Sequence, residues 1–188
     1  SSISGGAGST VNLTASGVTI TNTSSGNGWG VMTDAGGTIN AAGNLTVATN
    51  GFNGRGIYMT GGNINVAGNL IANHLVRSQG AGVEVSGGAL DVQGTTTITT
   101  AAADGLRNAG STHFGSNVVI NASNYTQGVL NTGTSSFGSN LTITTTNMNA
   151  GINMVSGTLS VARDLSITAN NASTYAGMGV TQTSGALS

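Results

Sequence analysis

The chain has 188 residues, a formal net charge of −1 and only 5% charged residues, against about 25% in ordinary globular domains. Its four basic residues are scattered arginines, which excludes the basic surface of a nucleic-acid-binding protein, and two histidines with no cysteine leave little for a zinc site and nothing for a disulfide. No run of 18 apolar residues occurs, so no membrane-spanning helix is predicted within this segment.

From residue 11 onwards, apolar residues recur at steps of 22–28 residues in three columns. The first column consists of Val31, Ile57, Val83, Leu106, Val129, Ile152 and Val180. The second consists of Val11, Ile39, Ile64, Leu90, Phe114, Phe137, Leu159 and Leu187. The third consists of pairs two residues apart, from Val18 and Ile20 to Leu165 and Ile167. Alternation of apolar and polar residues with a period of two predicts β-strands, three in each repeat.

These repeats predict an all-β fold for the single segment 1–188, a right-handed parallel β-helix of about seven three-stranded coils. A single coil cannot bury its own apolar face, so stacked coils are expected to bury the three columns as one continuous core. The sequence stops at Leu187-Ser188, within a coil, which indicates an excised part of a longer stack.

Polar and glycine-rich turns separate the predicted strands. A corner column before the third strand consists of Asn44, Asn69, Thr95, Asn117, Asn140 and Asp164. Because Asn and Asp tolerate left-handed backbone, we expect that conformation here, with side-chain amides bonded from coil to coil. Glycine pairs such as Gly61-Gly62 mark another corner. We expect Phe114 and Phe137 to stack in the core, and the corner after them to be two residues shorter than in other coils.

Residues at one register in adjacent coils are neighbours, which identifies candidate contacts on the outer surface. Glu84 and Arg107 are predicted to form an ion pair, and Trp29 and Arg55 a cation–π pair. The candidate recognition residues are Trp29, Phe52, Arg55, Tyr58, Asn124, Tyr125 and Tyr175. The alternative is structural: a surface ion pair stabilises by only about 0–1 kcal/mol, and aromatic side chains also shield turns.

The five acidic residues fall in different columns or distant coils, unlike the paired carboxylates of glycoside hydrolases. His113 is expected near Asp91, an isolated pair that gives little support for a hydrolase. We therefore predict no enzymatic activity, no metal and no cofactor. Rows of Thr-x-Thr on the third strands, interrupted by Ile71 and Val119, resemble ice-binding β-solenoids, although Thr also has a high strand propensity.

The irregular repeats, the absence of cysteine and the phrases GGNINVAGNL and SGTLSVARDLSIT resemble the passenger domains of bacterial autotransporters, of the pertactin-like or self-associating adhesin type. The resemblance implies a rod at the bacterial cell surface or outer membrane, or a secreted one. Passengers of this kind that lack a protease domain are commonly adhesins or self-association factors. Some members carry heptose on Ser or Thr, so O-glycosylation by a glycosyltransferase is also implied.

The sequence thus predicts a non-catalytic adhesin fragment that mediates virulence-associated cell adhesion, self-association, or both. Its expected partner is a host surface glycan or protein, or another copy of the chain, with autoaggregation and biofilm formation as outcomes. The alternatives are a structural spacer that lifts a distal domain away from the cell and, third, an ice-binding β-solenoid.

Overall fold

A computed structural model describes residues 2–23, 28–51, 54–75, 80–124, 127–147, 150–170 and 178–188. Within these ranges the chain forms three parallel β-sheets and no helix, and thus no helix long and apolar enough to cross a bilayer. The first sheet contains β1 (Ile3–Gly5), β4 (Trp29–Thr33), β7 (Arg55–Met59), β10 (Ala81–Val85), β13 (Asp104–Asn108), β16 (Gln127–Asn131), β19 (Ala150–Met154) and β22 (Met178–Gln182). The second contains β2 (Thr10–Leu13), β5 (Thr38–Ala41), β8 (Asn63–Val66), β11 (Ala89–Val92), β14 (Ser111–Phe114), β17 (Thr134–Phe137), β20 (Thr158–Val161) and β23 (Ala186–Leu187). The third contains β3 (Gly17–Asn22), β6 (Asn44–Thr49), β9 (Leu70–His74), β12 (Thr96–Thr100), β15 (Val118–Ser123), β18 (Leu141–Thr146) and β21 (Leu165–Asn170).

Each strand pairs in parallel with the equivalent strands of the coils before and after it, except that the first and last strand of each sheet pair on one side only. The sheets hold eight, eight and seven strands, so the chain makes about seven three-stranded coils. This arrangement confirms the predicted parallel β-helix. Neighbouring coils are about 4.8 Å apart, which places side chains of equal register in rows along the solenoid axis.

The predicted first column lies inside the solenoid, where Val31, Ile57, Val83, Leu106, Val129 and Ile152 are fully buried. Val180 differs, because its side chain is 40% exposed. Its strand, β22, is the last of its sheet and pairs only with β19, so Val180 is covered by a neighbouring strand on one side only. In the second column, Ile39, Ile64, Leu90, Phe114, Phe137 and Leu159 are all buried, as predicted.

Phe114 and Phe137 stack as predicted, with ring centroids 5.2 Å apart and planes at 13°. Their expected register is wrong by two residues, because Phe114 pairs with Val92 rather than with Leu90. The corner before β14 is one residue shorter than the corner before β11, and the corner after Phe114 is not shortened. The loss of one residue there moves the ring into the second inward position of its strand.

Polar residues fill the positions beside the phenylalanines. Thr112 and Ser135 occupy the Leu90 register and are buried, as are Asn108 and Asn131 of the first sheet. The Nδ2 of Asn108 donates to Oδ1 of Asn131 at 3.1 Å and to Oγ of Ser135 at 2.9 Å. Ser135 Oγ donates to Oδ1 of Asn131 at 2.7 Å. Because these buried polar groups form hydrogen bonds with one another, they can be buried beside the largest apolar side chains of the core.

A glycine column lies in the first sheet, directly before the first apolar column: Gly30, Gly56, Gly82, Gly105, Gly128, Gly151 and Gly179. A Cβ placed on Gly105 would lie 2.4 Å from Cγ2 of Ile120 and 2.5 Å from the carbonyl oxygen of Gly128. From β4 to β19, the beginning of each first-sheet strand therefore packs directly against side chains of the third sheet, whereas a Cβ on Gly179 of β22 would meet nothing within 4 Å. The glycine column is visible in the sequence, but the reason for it, the close packing of the first sheet against the third, is seen only in the structure.

The corner before the third sheet is closed by side-chain to backbone hydrogen bonds. Oδ1 of Asn44 accepts from the backbone N–H of Asn69, and Oδ1 of Asn69 accepts from the backbone N–H of Thr95, both at 2.8 Å. Equivalent bonds join Asn117 to Asn140 and Asn140 to Asp164. The predicted left-handed conformation is wrong for this column. A corner asparagine instead satisfies a backbone N–H of the next coil.

Positive φ angles occur at two other corners. At the corner after the first sheet they belong to glycines, among them Gly62 and Gly88 of the predicted pairs. At the end of the third-sheet strands they belong to Asn124 and Asn147, with φ of 64° and 54°. Asn124 is also held by its side chain, whose Nδ2 donates to the carbonyl oxygen of Ala101 at 3.0 Å. This predicted recognition residue therefore has a structural role in the turn.

Candidate recognition surfaces

The outer face of the first sheet carries a cluster of charged and aromatic side chains. We call it the charged cluster, and it consists of Trp29, Arg55, Tyr58, Glu84, Asp104 and Arg107. The parallel register places Tyr58, Glu84 and Arg107 on successive coils. Trp29 and Arg55 are register partners at the start of their strands. The cluster brings together three of the seven predicted recognition residues and the predicted ion pair.

Glu84 lies at the centre of the charged cluster, and only 8% of its side chain is exposed. Its Oε2 accepts a hydrogen bond from Nε of Arg55 at 2.5 Å and lies 3.6 Å from Nη1 of Arg107. The predicted pair of Glu84 and Arg107 is therefore confirmed. The closer partner, Arg55, was not predicted as an ion-pair partner because it belongs to a different column.

Asp104 is the second buried carboxylate of the cluster, with 2% exposure. Its Oδ2 accepts from Nη2 of Arg107 at 2.7 Å and from Nε at 3.0 Å, and its Oδ1 accepts from the backbone N–H of Gln127 at 2.9 Å. Two arginines thus balance two carboxylates. Each carboxylate is bound by a guanidinium, an arrangement that suits connection between coils better than proton transfer to a substrate.

The aromatic contact of Arg55 differs from the prediction. The guanidinium carbon lies 4.4 Å from the centroid of the Tyr58 ring, not over Trp29. Trp29 instead contacts Tyr58, with centroids 6.1 Å apart and planes at 38°. Arg55 extends towards Glu84, which lies one coil after it, and therefore away from Trp29, which lies one coil before it. Gly56 and Ile57 both face inwards, which leaves Arg55 and Tyr58 side by side outside.

Three further recognition candidates, Phe52, Tyr125 and Tyr175, lie outside the described residues. Together with Asn124, they follow the third strand of their coils in the sequence. The candidate recognition surface within the described residues is therefore the half-exposed pair Trp29 and Tyr58, together with the outer parts of Arg55 and Arg107.

The outer face of the second sheet carries an amide ladder that was not predicted as a site. Nδ2 of Asn40 donates to Oδ1 of Asn12 at 2.9 Å, and Nδ2 of Asn65 donates to Oδ1 of Asn40 at 2.8 Å. The next residue in this register is Asp91, whose Oδ1 accepts from Nε2 of Gln93 at 2.8 Å. The sequence places these residues in one column, but the hydrogen bonds along it appear only when the coils stack.

A groove of about 430 Å³ runs beside the amide ladder. We call it the second-sheet groove. Its lining includes Asn12, Asn40, Asn65, Asp91, Ala42 and Ala67. Ala42 and Ala67 lie at the corner after the second sheet and are exposed. Their small side chains leave the space that a longer residue would fill.

The same outward row continues from Asp91 to His113 and Ser136, which pair in successive coils. The expected proximity of His113 to Asp91 is therefore confirmed as direct register pairing. An acid, a histidine and a serine in sequence form the hydrogen-bonded chain of serine hydrolases. Here the Asp91 carboxylate bonds to Gln93, and no hydrogen bond joins His113 to either neighbour in the described structure. The row thus lacks the polar connections that activate a serine.

The other histidine, His74, is fully buried at the end of β9. Its Nδ1 lies 3.0 Å from Oγ1 of Thr49 in the preceding coil. Burial lowers the pKa of His74 below the ordinary value of 6.5, a hydrogen bond with Thr49 opposes this effect, and the positive charge of Arg55 adds to it. This histidine is a core residue, held in its neutral form. Among the described residues, no three acidic or histidine side chains come close enough to share a metal ion.

The third sheet carries the predicted rows of threonine on its outer face. The pairing confirms their register, with Thr97 between Ile71 and Val119 and Thr99 between Asn73 and Asn121. Ile71 is 39% exposed and interrupts the hydroxyl row as expected. Ice binding on this face stays a prediction.

Comparison of the chain with protein-family models, with curated proteins and with solved structures found no match.

Proposed function

We propose that this chain is a non-catalytic segment of a bacterial cell-surface adhesin, of the autotransporter passenger type, that binds a host surface or further copies of itself. The observation that carries the proposal is the register of the outer faces. Parallel pairing places uncharged amides and hydroxyls in rows along the solenoid, as in Asn12, Asn40 and Asn65.

Such rows suit weak contacts that are repeated many times. In the coils of Asn12, Asn40 and Asn65 the same side chain recurs at a spacing of about 4.8 Å, so this part of the outer face contacts an extended partner at several equivalent points. Many copies on a cell surface then raise the total affinity without any single strong contact. The charged cluster adds an aromatic patch, Trp29 and Tyr58, at one side of this surface.

The proposal is tested by sedimentation of the fragment across a range of concentrations, together with aggregation of beads coated with it and binding of those beads to epithelial cells. Three double variants map the faces: Trp29→Ala with Tyr58→Ala, Asn40→Ala with Asn65→Ala, and Thr142→Ala with Thr144→Ala. Each set changes two outward residues in adjacent coils or on one strand, so the sets control for one another.

We expect association or cell binding that one of the three sets abolishes and the other two preserve. A fragment that stays monomeric, leaves beads dispersed and binds no cells contradicts the adhesin.

A structural spacer is the second candidate, and the continuity of the core favours it. Core side chains stack from coil to coil in each sheet, for example Ile39 on Ile64 and Ile64 on Leu90. A rod built this way holds its ends apart whatever its surface binds. A folded fragment without any binding is the result that a spacer predicts.

A further inference from the structure

We infer that the second-sheet groove is a binding site for a neutral, hydroxyl-rich oligosaccharide that lies along the solenoid axis. The inference names a ligand for the proposed adhesin. It rests on the proposed function only for the biological role of the groove. The groove and the amide ladder beside it carry the argument.

The size of the groove suits a short oligosaccharide. Its volume of about 430 Å³ lies within the range of small-molecule sites, about 300–1,000 Å³. Its lining comes from consecutive coils, since Asn12, Asn40, Asn65 and Asp91 belong to β2, β5, β8 and β11. The groove therefore runs along the solenoid rather than around it, and its occupant is an extended chain.

The amides in the ladder keep hydrogen-bonding capacity for a ligand. An asparagine side chain has two N–H donors and an oxygen with two lone pairs. In the ladder, Asn40 uses one donor towards Asn12 and one acceptor position towards Asn65. The second N–H and the second lone pair are left for another group. A donor and an acceptor side by side match the neighbouring hydroxyls of a sugar, each of which both donates and accepts.

The spacing of the ladder supports the same class of ligand. Successive amides are about 4.8 Å apart along the solenoid axis, close to the length of one sugar residue in an extended glycan. The Asp91 carboxylate at the end of the ladder accepts from Gln93 through Oδ1. Its other oxygen is available to a hydroxyl donor, and a hydrogen bond to a charged acceptor is stronger than one between neutral groups.

Charge and backbone pairing disfavour other occupants. The lining residues comprise one carboxylate and no basic side chain, so a sulfated or sialylated glycan finds no counter-charge there. A peptide strand cannot pair with the floor, because β5, β8 and β11 already bond to strands on both sides. Most of the lining surface is apolar, with Leu13, Ala42 and Ala67 among its residues, and this part of the groove contacts the C–H groups of the sugar.

The test is an array of neutral and acidic oligosaccharides, followed by titration calorimetry with the neutral glycan that binds best. Two variants change the groove: Asn65→Leu removes one amide of the ladder, and Ala67→Phe fills the groove while the ladder stays intact. Asn121→Leu is the matched control, because Asn121 is an exposed amide on the outer face of the third sheet. Circular dichroism confirms that each variant is folded.

We expect a neutral linear oligosaccharide to bind. Its affinity should be about tenfold weaker in Asn65→Leu, as the loss of a donor–acceptor pair predicts, at least as much weaker in Ala67→Phe because the ring occupies the groove, and unchanged in Asn121→Leu. The inference is overturned if the array shows no neutral binder, if only acidic glycans bind, or if the groove variants bind like the control. The bead and cell assays are run in parallel. Adhesion without neutral-glycan binding refutes the groove and leaves the adhesin standing, whereas glycan binding without adhesion refutes the adhesin alone.

Discussion

Arg55 of β7 and Glu84 of β10 form the shortest ion pair described in the structure, with Nε and Oε2 2.5 Å apart across one coil boundary. Both side chains face outwards, yet only 8% of the glutamate side chain is exposed, against 27% of the arginine. The guanidinium groups of Arg55 and Arg107 flank the carboxylate on its two sides. A position that would carry a solvated charge on a single strand is thereby buried between two arginines.

Glu84→Gln should lower the free energy of unfolding by about 1–2 kcal/mol. The change keeps the shape but removes the charge that two guanidinium groups share, and the partial exposure of both arginines limits the loss. Urea unfolding followed by circular dichroism measures it. Asp34→Asn is the control, since Asp34 accepts only from the Thr60 hydroxyl at 3.0 Å among the described side chains. An equal loss in both variants would contradict the prediction, because Glu84 would then contribute no more than the single side-chain hydrogen bond of Asp34.

Gly105→Ala should destabilise the fold by about 2–3 kcal/mol, because its Cβ has no room against Ile120 and the Gly128 carbonyl. Gly17→Ala is the matched control, since a Cβ there meets nothing within 4 Å. We expect Gly17→Ala to be neutral or slightly stabilising, as less backbone freedom is lost on folding. The melting temperatures of the two variants, compared with that of the parent chain, measure this difference in stability. Tolerance of Gly105→Ala would contradict the close packing of the first and third sheets.

Ile64→Asp should prevent folding, whereas Thr97→Asp should be tolerated. Ile64 is fully buried, so a carboxylate there has no partner. Thr97 lies half-exposed on the outer face of β12, where water solvates the charge. The measurement is the yield of soluble protein and its circular dichroism spectrum. Comparable damage from the two substitutions would mean that the inward and outward registers are wrong.

Thr96→Val should stabilise the protein by about 1 kcal/mol. The Thr96 hydroxyl is buried and has no hydrogen-bond partner, so no hydrogen bond offsets its loss of hydration. Replacing the hydroxyl with a methyl group removes this destabilising contribution. Thr100→Val should destabilise by a similar amount, because the Thr100 hydroxyl donates to the carbonyl oxygen of Ala103 at 2.8 Å. The two residues lie on one strand and face the same way. Urea unfolding of the two single variants should therefore show changes of opposite sign in the free energy of unfolding.

His74 should make stability depend on pH. Its pKa is lowered by burial in the folded chain, so the unfolded chain takes up a proton more readily as the pH falls through 6.5. The stability that the neutral form provides is therefore present above that value and is lost below it. Unfolding measured from pH 7.5 to pH 5 should show this loss in the parent chain and a flatter profile in His74→Thr. A parent chain whose stability stays constant over this range would contradict the prediction.

The sequence by itself determined the architecture. Three alternating segments in each repeat can bury their apolar residues only by stacking, so the columns of Val31 and Ile39 identified both the coils and the core. The pair of Glu84 and Arg107 followed from the same register. These predictions hold because period and spacing are local properties of the chain, and stacking then repeats them.

Tertiary structure decided the side-chain contacts that the spacing of the repeats does not specify. The corner before β14 is one residue shorter than the one before β11, which places Phe114 in the Val92 register instead of the predicted Leu90 register and brings Thr112 and Ser135 inside. The partner of Arg55 was decided by side-chain reach between coils, and the second-sheet groove by the corner alanines beside the amide ladder. Contacts of this kind depend on distances between side chains in three dimensions, which the spacing of residues in a sequence does not specify.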